Sequence, residues 1–209
     1  MQIKLNSLGK KFQREWIFRN VNLTLKQGES YVLIGPNGSG KSTLMLILSG
    51  LLSASEGTVE YKKDNGENLP EEQFYLSQSI VAPYEEVVEE FTLTELLDFH
   101  FAFKPSLDNM SSADIIEALY LTTARNKYIK QFSSGMKQRL KLGLAFYSKS
   151  KVLFLDEPCS NLDARGIEWY QQEVKKILHE RLIVICSNQS YEYEFVDQRI
   201  NIEQYKRHA

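Results

Sequence analysis

Residues suited to binding phosphate are clustered in one short segment near the start of the chain. The segment 35–43 follows the pattern G-x-x-x-x-G-K-S and comprises Gly35, Pro36, Asn37, Gly38, Ser39, Gly40, Lys41, Ser42 and Thr43. Glycine permits backbone angles that turn amide N–H groups toward an anion, and a helix beginning near Lys41 adds its positive end. Lys41 is suited to the β- and γ-phosphates, and the Ser42 hydroxyl to Mg²⁺. These residues therefore predict a nucleotide-phosphate site.

Two adjacent carboxylates follow an apolar run in the second half of the chain. Residues 152–155 predict a parallel strand that is buried on both faces and that ends at Asp156 and Glu157. Ligands of open α/β sheets lie beyond the carboxyl ends of the strands, and adjacent residues there point in different directions. We therefore predict that Asp156 holds Mg²⁺ through water and that Glu157 polarises the attacking water.

Other residues could complete such a site. Phe12 lies in the polar segment 9–13, where its ring could stack on a base or cover the edge of the core. Residues 74–76 predict a short strand, after which Gln78 could offer its amide oxygen to Mg²⁺, orient a water or simply lie in a solvated loop. Ser133 or Ser134 is suited to cap a helix, and this exposed helix start could bind a second phosphate group.

The composition restricts the classes of function. The chain has 209 residues, with 25 basic and 27 acidic side chains and a net charge of −2, so a nucleic-acid partner is not expected. The longest apolar run, 44–52, is too short to span a bilayer, and residues 1–5 alternate like a strand rather than a signal peptide. Cys159 and Cys186 have neither disulfide-framework nor metal-site spacing. These features predict a reduced, cytoplasmic protein.

The apolar patterns also predict the elements that position these residues. Strands are predicted at 3–5, 16–25, 30–34, 58–61, 74–76, 152–155 and 182–186, and a last short helix and strand at 191–202. Helices are predicted after Lys41, after Thr92 or Thr94, after Ser111 and from about 133, and another follows 160–163. The expected fold is one α/β domain over 1–209, with the helices of residues 85–148 inserted as a subdomain.

In order and spacing, these motifs resemble the nucleotide-binding domain of the ATP-binding cassette (ABC) ATPases over nearly all of the chain. Segment 35–42 matches the family's Walker A motif, Gln78 its Q-loop, 133–136 its signature motif, 152–157 its Walker B motif, 160–163 its D-loop, and Phe12 its adenine-stacking aromatic. The resemblance implies a P-loop NTPase core with a mixed or parallel sheet, an N-terminal antiparallel β subdomain and the helical insert.

The resemblance also implies a function. It implies an ATPase that uses ATP and Mg²⁺ in a head-to-tail dimer, where each ATP lies between the Walker A motif of one protomer and Ser133 and Gly135 of the other. The partner would be a separate transmembrane permease, which would hold the chain at the inner face of the membrane. The compact length of the chain and the amino-acid sequence of segment 133–140 favour exporter-type cassettes. The alternatives are a soluble ATPase of a non-transport assembly and a low-turnover, nucleotide-gated interaction module.

Two departures from the family pattern concern catalysis. The signature usually has two glycines followed by glutamine, whereas this chain has Ser134, Gly135 and Met136 there. Asn188 stands where the family usually places a histidine that contacts the γ-phosphate. Asparagine can donate a hydrogen bond but cannot carry a charge. An active ATPase is still expected, with slower turnover or a stronger dependence on Glu157.

Overall fold

The computed structural model describes residues 1–206. The strands are β1 (Gln2–Phe12), β2 (Glu15–Lys26), β3 (Ser30–Ile34), β4 (Glu56–Lys62), β5 (Gln78–Val81), β6 (Val152–Asp156), β7 (Leu182–Cys186) and β8 (Gln198–Asn201). The α-helices are α1 (Lys41–Leu48), α2 (Glu71–Leu76), α3 (Leu93–Phe103), α4 (Ser112–Ala118), α5 (Ser134–Phe146) and α6 (Ala164–Ile177). Short 3-10 helices span Leu107–Asn109, Thr122–Ala124, Ile129–Gln131, Ser190–Glu192 and Ile202–Tyr205.

The strands form two sheets. β1, β2 and β4 are antiparallel in the order β2-β1-β4, and the other five strands are parallel in the order β5-β6-β7-β3-β8. Parallel strands place their carboxyl ends at one edge of the sheet, so the segments that follow β3, β6 and β7 meet there. This topology confirms the predicted α/β fold with an antiparallel sheet at its amino-terminal side.

The parallel sheet is covered on both faces. On β6, Leu153 and Leu155 belong to a core shared with α5 and α6, while Val152 and Phe154 belong to a core shared with α1 and the antiparallel sheet. This alternation follows from the period of two in a strand. Every residue of β6 and β7 is buried, which confirms the prediction of strands buried on both faces. Cys186 is one of these core residues.

Three helices, α3, α4 and α5, lie between β5 and β6 in the chain. α3 begins with a capping box formed by Thr92 and Glu95, and α4 begins with one formed by Ser111 and Asp114, so Thr92 rather than Thr94 is the first cap. That residues 85–148 move as a separate subdomain stays a prediction. No helix within residues 1–206 combines the length and the apolar character needed to cross a membrane.

Two local predictions are wrong. Residues 74–76 belong to α2 rather than to a strand, because Pro70 precedes two acidic residues that favour the positive end of a helix. In α2, Phe74 is buried and stacks on Tyr61 at 3.7 Å between ring centroids. Phe12 lies not in a loop but at the end of β1, paired with Glu15 at the tip of a hairpin. The sequence does not show the alternating apolar pattern of a strand here, because the tip of this hairpin is exposed on both faces.

Candidate nucleotide-binding site

The phosphate-binding segment lies between β3 and α1, as predicted. Its last glycine, Gly40, has a φ of 103° and precedes the first residue of the helix. A Cβ atom at this position would lie 2.5 Å from Cγ2 of Ile17 on β2. Gly40 is therefore required for its backbone angle and for the close approach of the antiparallel sheet, which fixes the segment from one side.

The Lys41 side chain folds over this segment. Lys41 is 7% exposed, and its Nζ donates to the carbonyl oxygens of Gly35 at 2.7 Å and Pro36 at 3.2 Å. The ammonium group thus lies where it can exchange these carbonyl oxygens for phosphate oxygens without a rearrangement of the backbone. Nearby, the buried hydroxyl of Ser39 has no hydrogen-bond partner among the described residues. Both groups are suited to an anion.

Asp156 and Glu157 lie at the same edge of the sheet, after β6. Asp156 is 4% exposed, and this burial raises the pKa of its carboxyl group, while the nearby Ser42 hydroxyl and Lys41 ammonium partly offset the rise. Glu157 is exposed and has a φ of 46°, a left-handed conformation that is uncommon outside glycine. The turn therefore buries one carboxylate beside the phosphate-binding segment and presents the other to solvent.

The Ser42 hydroxyl and the Asp156 carboxylate fit a magnesium site. Both are oxygen donors, which Mg²⁺ prefers, and Ser42 is close enough to Asp156 to stabilise its charged form. Two protein oxygens are a typical contribution when substrate phosphates and water complete the coordination. When bound, Mg²⁺ would neutralise negative charge that develops on the phosphate oxygens.

Asn188 follows β7 and reaches the phosphate-binding segment. Its Nδ2 atom donates to Oδ1 of Asn37 at 2.7 Å. The structure thus brings Asn188 together with the segment predicted to bind phosphate, although the two are far apart in the sequence. The contact of Asn188 with a γ-phosphate stays a prediction.

Gln78 lies at the wrong end of the sheet for its predicted role. It pairs with Val152, the first residue of β6, four residues before Asp156. At a strand rise of about 3.3 Å per residue, this register separates the levels of Gln78 and Asp156 by about 13 Å. The Gln78 side chain is buried, and its Nε2 donates to the carbonyl oxygen of Ser49 at 2.8 Å. The assignment of Gln78 to Mg²⁺ or to the attacking water is therefore wrong.

Tyr84 lies near the site, and no sequence motif singles it out. It follows the carboxyl end of β5, and its side chain is 52% exposed. Partial burial and, next, the charge of Asp156 raise the pKa of the Tyr84 hydroxyl to about 12. Because β5 spans Gln78–Val81, residues 82–85 follow its carboxyl end, at the edge of the sheet where the site lies.

Replacement of Gln78 by alanine distinguishes a structural role of this side chain from a role in nucleotide binding. We expect Gln78→Ala to lower the free energy of unfolding by about 1–2 kcal/mol, because the buried Ser49 carbonyl loses its partner, and to leave ATP affinity unchanged. Urea denaturation and calorimetry with ATP and Mg²⁺ measure the two effects. Gln73→Ala, on the exposed face of α2, is the matched control. A tenfold loss of ATP affinity at unchanged stability would contradict the assignment.

The predicted second phosphate-binding helix start is formed by α5. Ser133 is its N-cap, is exposed, and accepts a hydrogen bond from the Met136 amide at 3.2 Å. A Cβ atom at Gly135 would lie 2.9 Å from the carbonyl oxygen of Asn161, and Nε2 of Gln138 donates to the carbonyl oxygen of Pro158 at 2.7 Å. Within residues 1–206, no hydrogen bond joins segment 133–136 to segment 35–43. The helix start instead packs on the turn that follows Glu157.

Phe12 stands at the tip of the β1–β2 hairpin. Its ring is 48% exposed, and the Nζ atom of Lys10 lies 4.9 Å from the ring centroid. The ring is thus available to stack on a base. Its contact with adenine stays a prediction.

Known proteins resemble this chain over most of its length. A family model described as ABC transporter matches residues 18–160. A lantibiotic transport ATP-binding protein, SrtF, of Streptococcus pyogenes is 30% identical over 191 residues, which cover 89% of this chain and 79% of that protein. A putative hemin import ATP-binding protein, HrtA, of Staphylococcus aureus (strain MRSA252) is 28% identical over 212 residues, which cover 95% of this chain and 94% of that protein.

Solved structures share the fold. A putative ABC transporter ATP-binding protein of Pyrococcus furiosus has a TM-score of 0.81 at 19% identity and covers 98% of this chain, which covers 99% of it. A dimeric ATP-binding cassette in a post-hydrolysis state, bound to ADP and Pi, has a TM-score of 0.79 at 23% identity, with coverages of 95% and 93%. The likeness confirms the predicted fold class.

Proposed function

Since this chain belongs to the ABC transporter family of ATP-binding proteins, we propose that it is the ATPase subunit that powers a membrane transporter through ATP-driven dimerisation. The observation that carries the proposal is the convergence of the phosphate-binding segment, Asp156 and Glu157 at one edge of the parallel sheet. This edge is where a nucleotide triphosphate and its attacking water would be placed together.

The residues divide the reaction as follows. The amide groups of segment 35–43 and the Lys41 ammonium bind and orient the phosphates, while Ser42 and Asp156 hold Mg²⁺. Glu157 accepts a proton from, or orients, the water that attacks the γ-phosphate. Asn188 donates a hydrogen bond to the γ-phosphate from the position where it now contacts Asn37. Phe12 stacks on the adenine ring.

A second copy of the chain completes each site in this proposal. The exposed Ser133 and the first turn of α5 are suited to an anion, yet they make no hydrogen bond to segment 35–43 within the described residues. A head-to-tail dimer would bring Ser133 and Gly135 of one protomer to the γ-phosphate held by the other. ATP would then close the dimer, and hydrolysis with product release would open it. The dimeric cassette bound to ADP and Pi supports this arrangement by analogy of fold.

A groove between the parallel sheet and the inserted helices is the proposed docking site for the permease. Its volume is about 480 Å³, and its lining residues are Leu51, Tyr75, Gln78, Ser79, Ile80, Glu85, Glu86, Val87, His100, Lys104, Lys141, Leu144 and Ala145. Two of these lining residues, Leu51 and Tyr75, are large and are 51% and 40% exposed. Large apolar side chains at such exposure favour a protein partner. The partner would present a short amphipathic helix and hold the chain at the cytoplasmic face of the membrane.

The names of the relatives support transport but differ in cargo, and only one of them states a direction. SrtF is named for lantibiotic transport and HrtA for hemin import. We propose an exporter for this chain, on the sequence of segment 133–140. Assays of substrate flux in vesicles that contain the chain and its permease test the direction.

Co-purification tests the link to a membrane partner. We expect the tagged chain to copurify from detergent-solubilised membranes with a polytopic membrane protein, identified by mass spectrometry. Leu51→Glu should lose this protein and keep ATP affinity, because the exposed Leu51 lines the groove and is not assigned to the nucleotide site. Tyr128→Glu, at an exposed aromatic residue outside the groove, is the control and should keep the partner. Recovery of the same membrane protein with Leu51→Glu would contradict the docking site.

Two other functions make different predictions. A soluble ATPase of a non-transport assembly would copurify with soluble subunits and no polytopic membrane protein. A nucleotide-gated interaction module would bind ATP and dimerise with little turnover, a behaviour that the absence of a histidine at position 188 favours. Steady ATP turnover by the chain with its partner argues against the module.

A further inference from the structure

One buried carboxylate near the site has no role assigned to it in the proposed hydrolysis of ATP. Glu192, at the end of the 3-10 helix Ser190–Glu192, is 2% exposed. Carboxylates this deeply buried usually have a positively charged partner, but none of the ion pairs within residues 1–206 includes Glu192. Its side-chain oxygens instead accept hydrogen bonds from donors on two different turns.

The first donor belongs to the turn that carries Glu157. Oε1 of Glu192 accepts a hydrogen bond from the backbone amide of Cys159 at 2.7 Å, although the two residues are 33 positions apart. The same turn is held by the Glu157 amide, which donates to the Cys186 carbonyl oxygen at 2.9 Å, and by the Ser160 amide, which donates to the Glu157 carbonyl oxygen at 3.1 Å. Glu192 therefore adds a side-chain hydrogen bond to the backbone hydrogen bonds that hold this turn.

The second donor belongs to the turn that carries Asn188. Oε2 of Glu192 accepts a hydrogen bond from the Ser187 hydroxyl, which also accepts one from the Gln189 amide at 2.9 Å. Ser187 and Gln189 flank Asn188, whose side chain reaches Asn37 of the phosphate-binding segment. One carboxylate thus joins the turn after β6 to the turn after β7.

The position of Glu192 is itself fixed. The hydroxyl of Tyr170, a fully buried residue of α6, donates to the Glu192 carbonyl oxygen at 2.9 Å. Glu157, in contrast, is exposed and occupies a left-handed conformation with a φ of 46°. A non-glycine residue keeps such a conformation only when its surroundings hold it there. The Cys159–Glu192 hydrogen bond is one of the contacts that do so.

We propose that Glu192 is a positioning residue for ATP hydrolysis, whose carboxylate holds the turn of Glu157 in register with the turn of Asn188. Its buried side chain acts through these two residues. This inference rests on the proposed function, specifically on the role of Glu157 in activating the attacking water. It concerns kcat rather than ATP binding, because the hydrogen bonds of Glu192 do not reach segment 35–43.

The test compares two substitutions at this position. Glu192→Ala removes both acceptors, and we expect kcat to fall at least tenfold while the Kd for ATP with Mg²⁺ changes less than threefold. Glu192→Gln should restore kcat to within threefold, because the amide oxygen can accept from Cys159 and the amide nitrogen can donate to the Ser187 hydroxyl. A merely structural role would lower the amount of folded protein and leave kcat per bound ATP unchanged. Rates are therefore normalised to the ATP sites counted by calorimetry.

The outcomes are separate from those for the proposed function. A wild-type chain that does not hydrolyse ATP, alone or with its partner, would reject the function itself and this inference with it. Normal hydrolysis by wild type together with an unchanged kcat in Glu192→Ala would overturn only the inference. Should Glu192→Ala fail to fold, Ser187→Ala takes its place, since it removes one of the two donors. A threefold or greater loss of kcat at constant Kd then supports the proposal, and an unchanged kcat overturns it.

Discussion

Replacement of Lys41 by alanine is expected to abolish tight ATP binding. The Nζ atom of Lys41 is buried within the phosphate-binding segment and donates two hydrogen bonds to its carbonyl oxygens, so it is already positioned for phosphate oxygens. A hydrogen bond to a charged group contributes about 1.5–3 kcal/mol, and the loss of two corresponds to about 100-fold weaker binding or more. Calorimetry of the variant with ATP and Mg²⁺ measures this loss.

The matched control is Lys149→Ala. Lys149 is exposed and lies just before β6, at the amino end of the parallel sheet, opposite to the candidate site. The Lys149→Ala variant should bind ATP with the affinity of the wild type. This result would exclude the loss of one positive charge as the general cause of weaker ATP binding in Lys41→Ala. Equal affinities for Lys41→Ala and Lys149→Ala would reject the assignment of segment 35–43 to phosphate binding.

Glu157→Gln is expected to separate ATP binding from hydrolysis. The amide has the size of the carboxylate but cannot accept a proton from water, so kcat should fall by about 100-fold or more. ATP affinity should be retained, because Glu157 is exposed beyond the buried Asp156 and is not assigned to phosphate or Mg²⁺. The variant should accumulate as an ATP-bound dimer, and light scattering with and without ATP measures the change in mass.

Glu180→Gln provides the comparison for this variant. Glu180 is exposed and precedes β7 at the amino end of the sheet, so its loss of charge should change neither turnover nor oligomeric state. Full ATPase activity in Glu157→Gln would remove Glu157 from the catalytic role. Turnover below detection in wild type, with ATP-dependent dimerisation intact, would instead favour the nucleotide-gated module.

The sequence predicts the parts of the site that depend on local pattern. The phosphate-binding segment combines fixed glycine spacing with a strand and a helix on either side, and the strand before Asp156 is uniformly apolar because it is buried on both faces. Both are properties of a few consecutive residues. They therefore do not depend on knowing where the rest of the chain lies.

The sequence does not predict features that depend on register between distant elements. The sequence predicts a strand at 74–76 that ends before Gln78, whereas these residues belong to a helix and Gln78 begins the next strand, at the end of the sheet remote from the site. The strand lies four residues later than predicted, a difference equal to the length of β5. The prediction therefore places Gln78 at the wrong end of β5 and does not include Tyr84. The link between Glu192 and Cys159 is likewise invisible in the sequence, since it joins residues 33 positions apart.

The packing of Gly135 and Gln138 against Asn161 and Pro158 has a consequence for the proposed dimer. In each protomer, this packing couples two parts of the molecule. One is the start of α5, which would meet the nucleotide of the partner, and the other is the turn beside the nucleotide of the same protomer. Occupancy at one interface would then alter the energy of the other, and such linkage is reciprocal. Plots of ATPase rate against ATP concentration should therefore be sigmoidal, with a Hill coefficient between one and two.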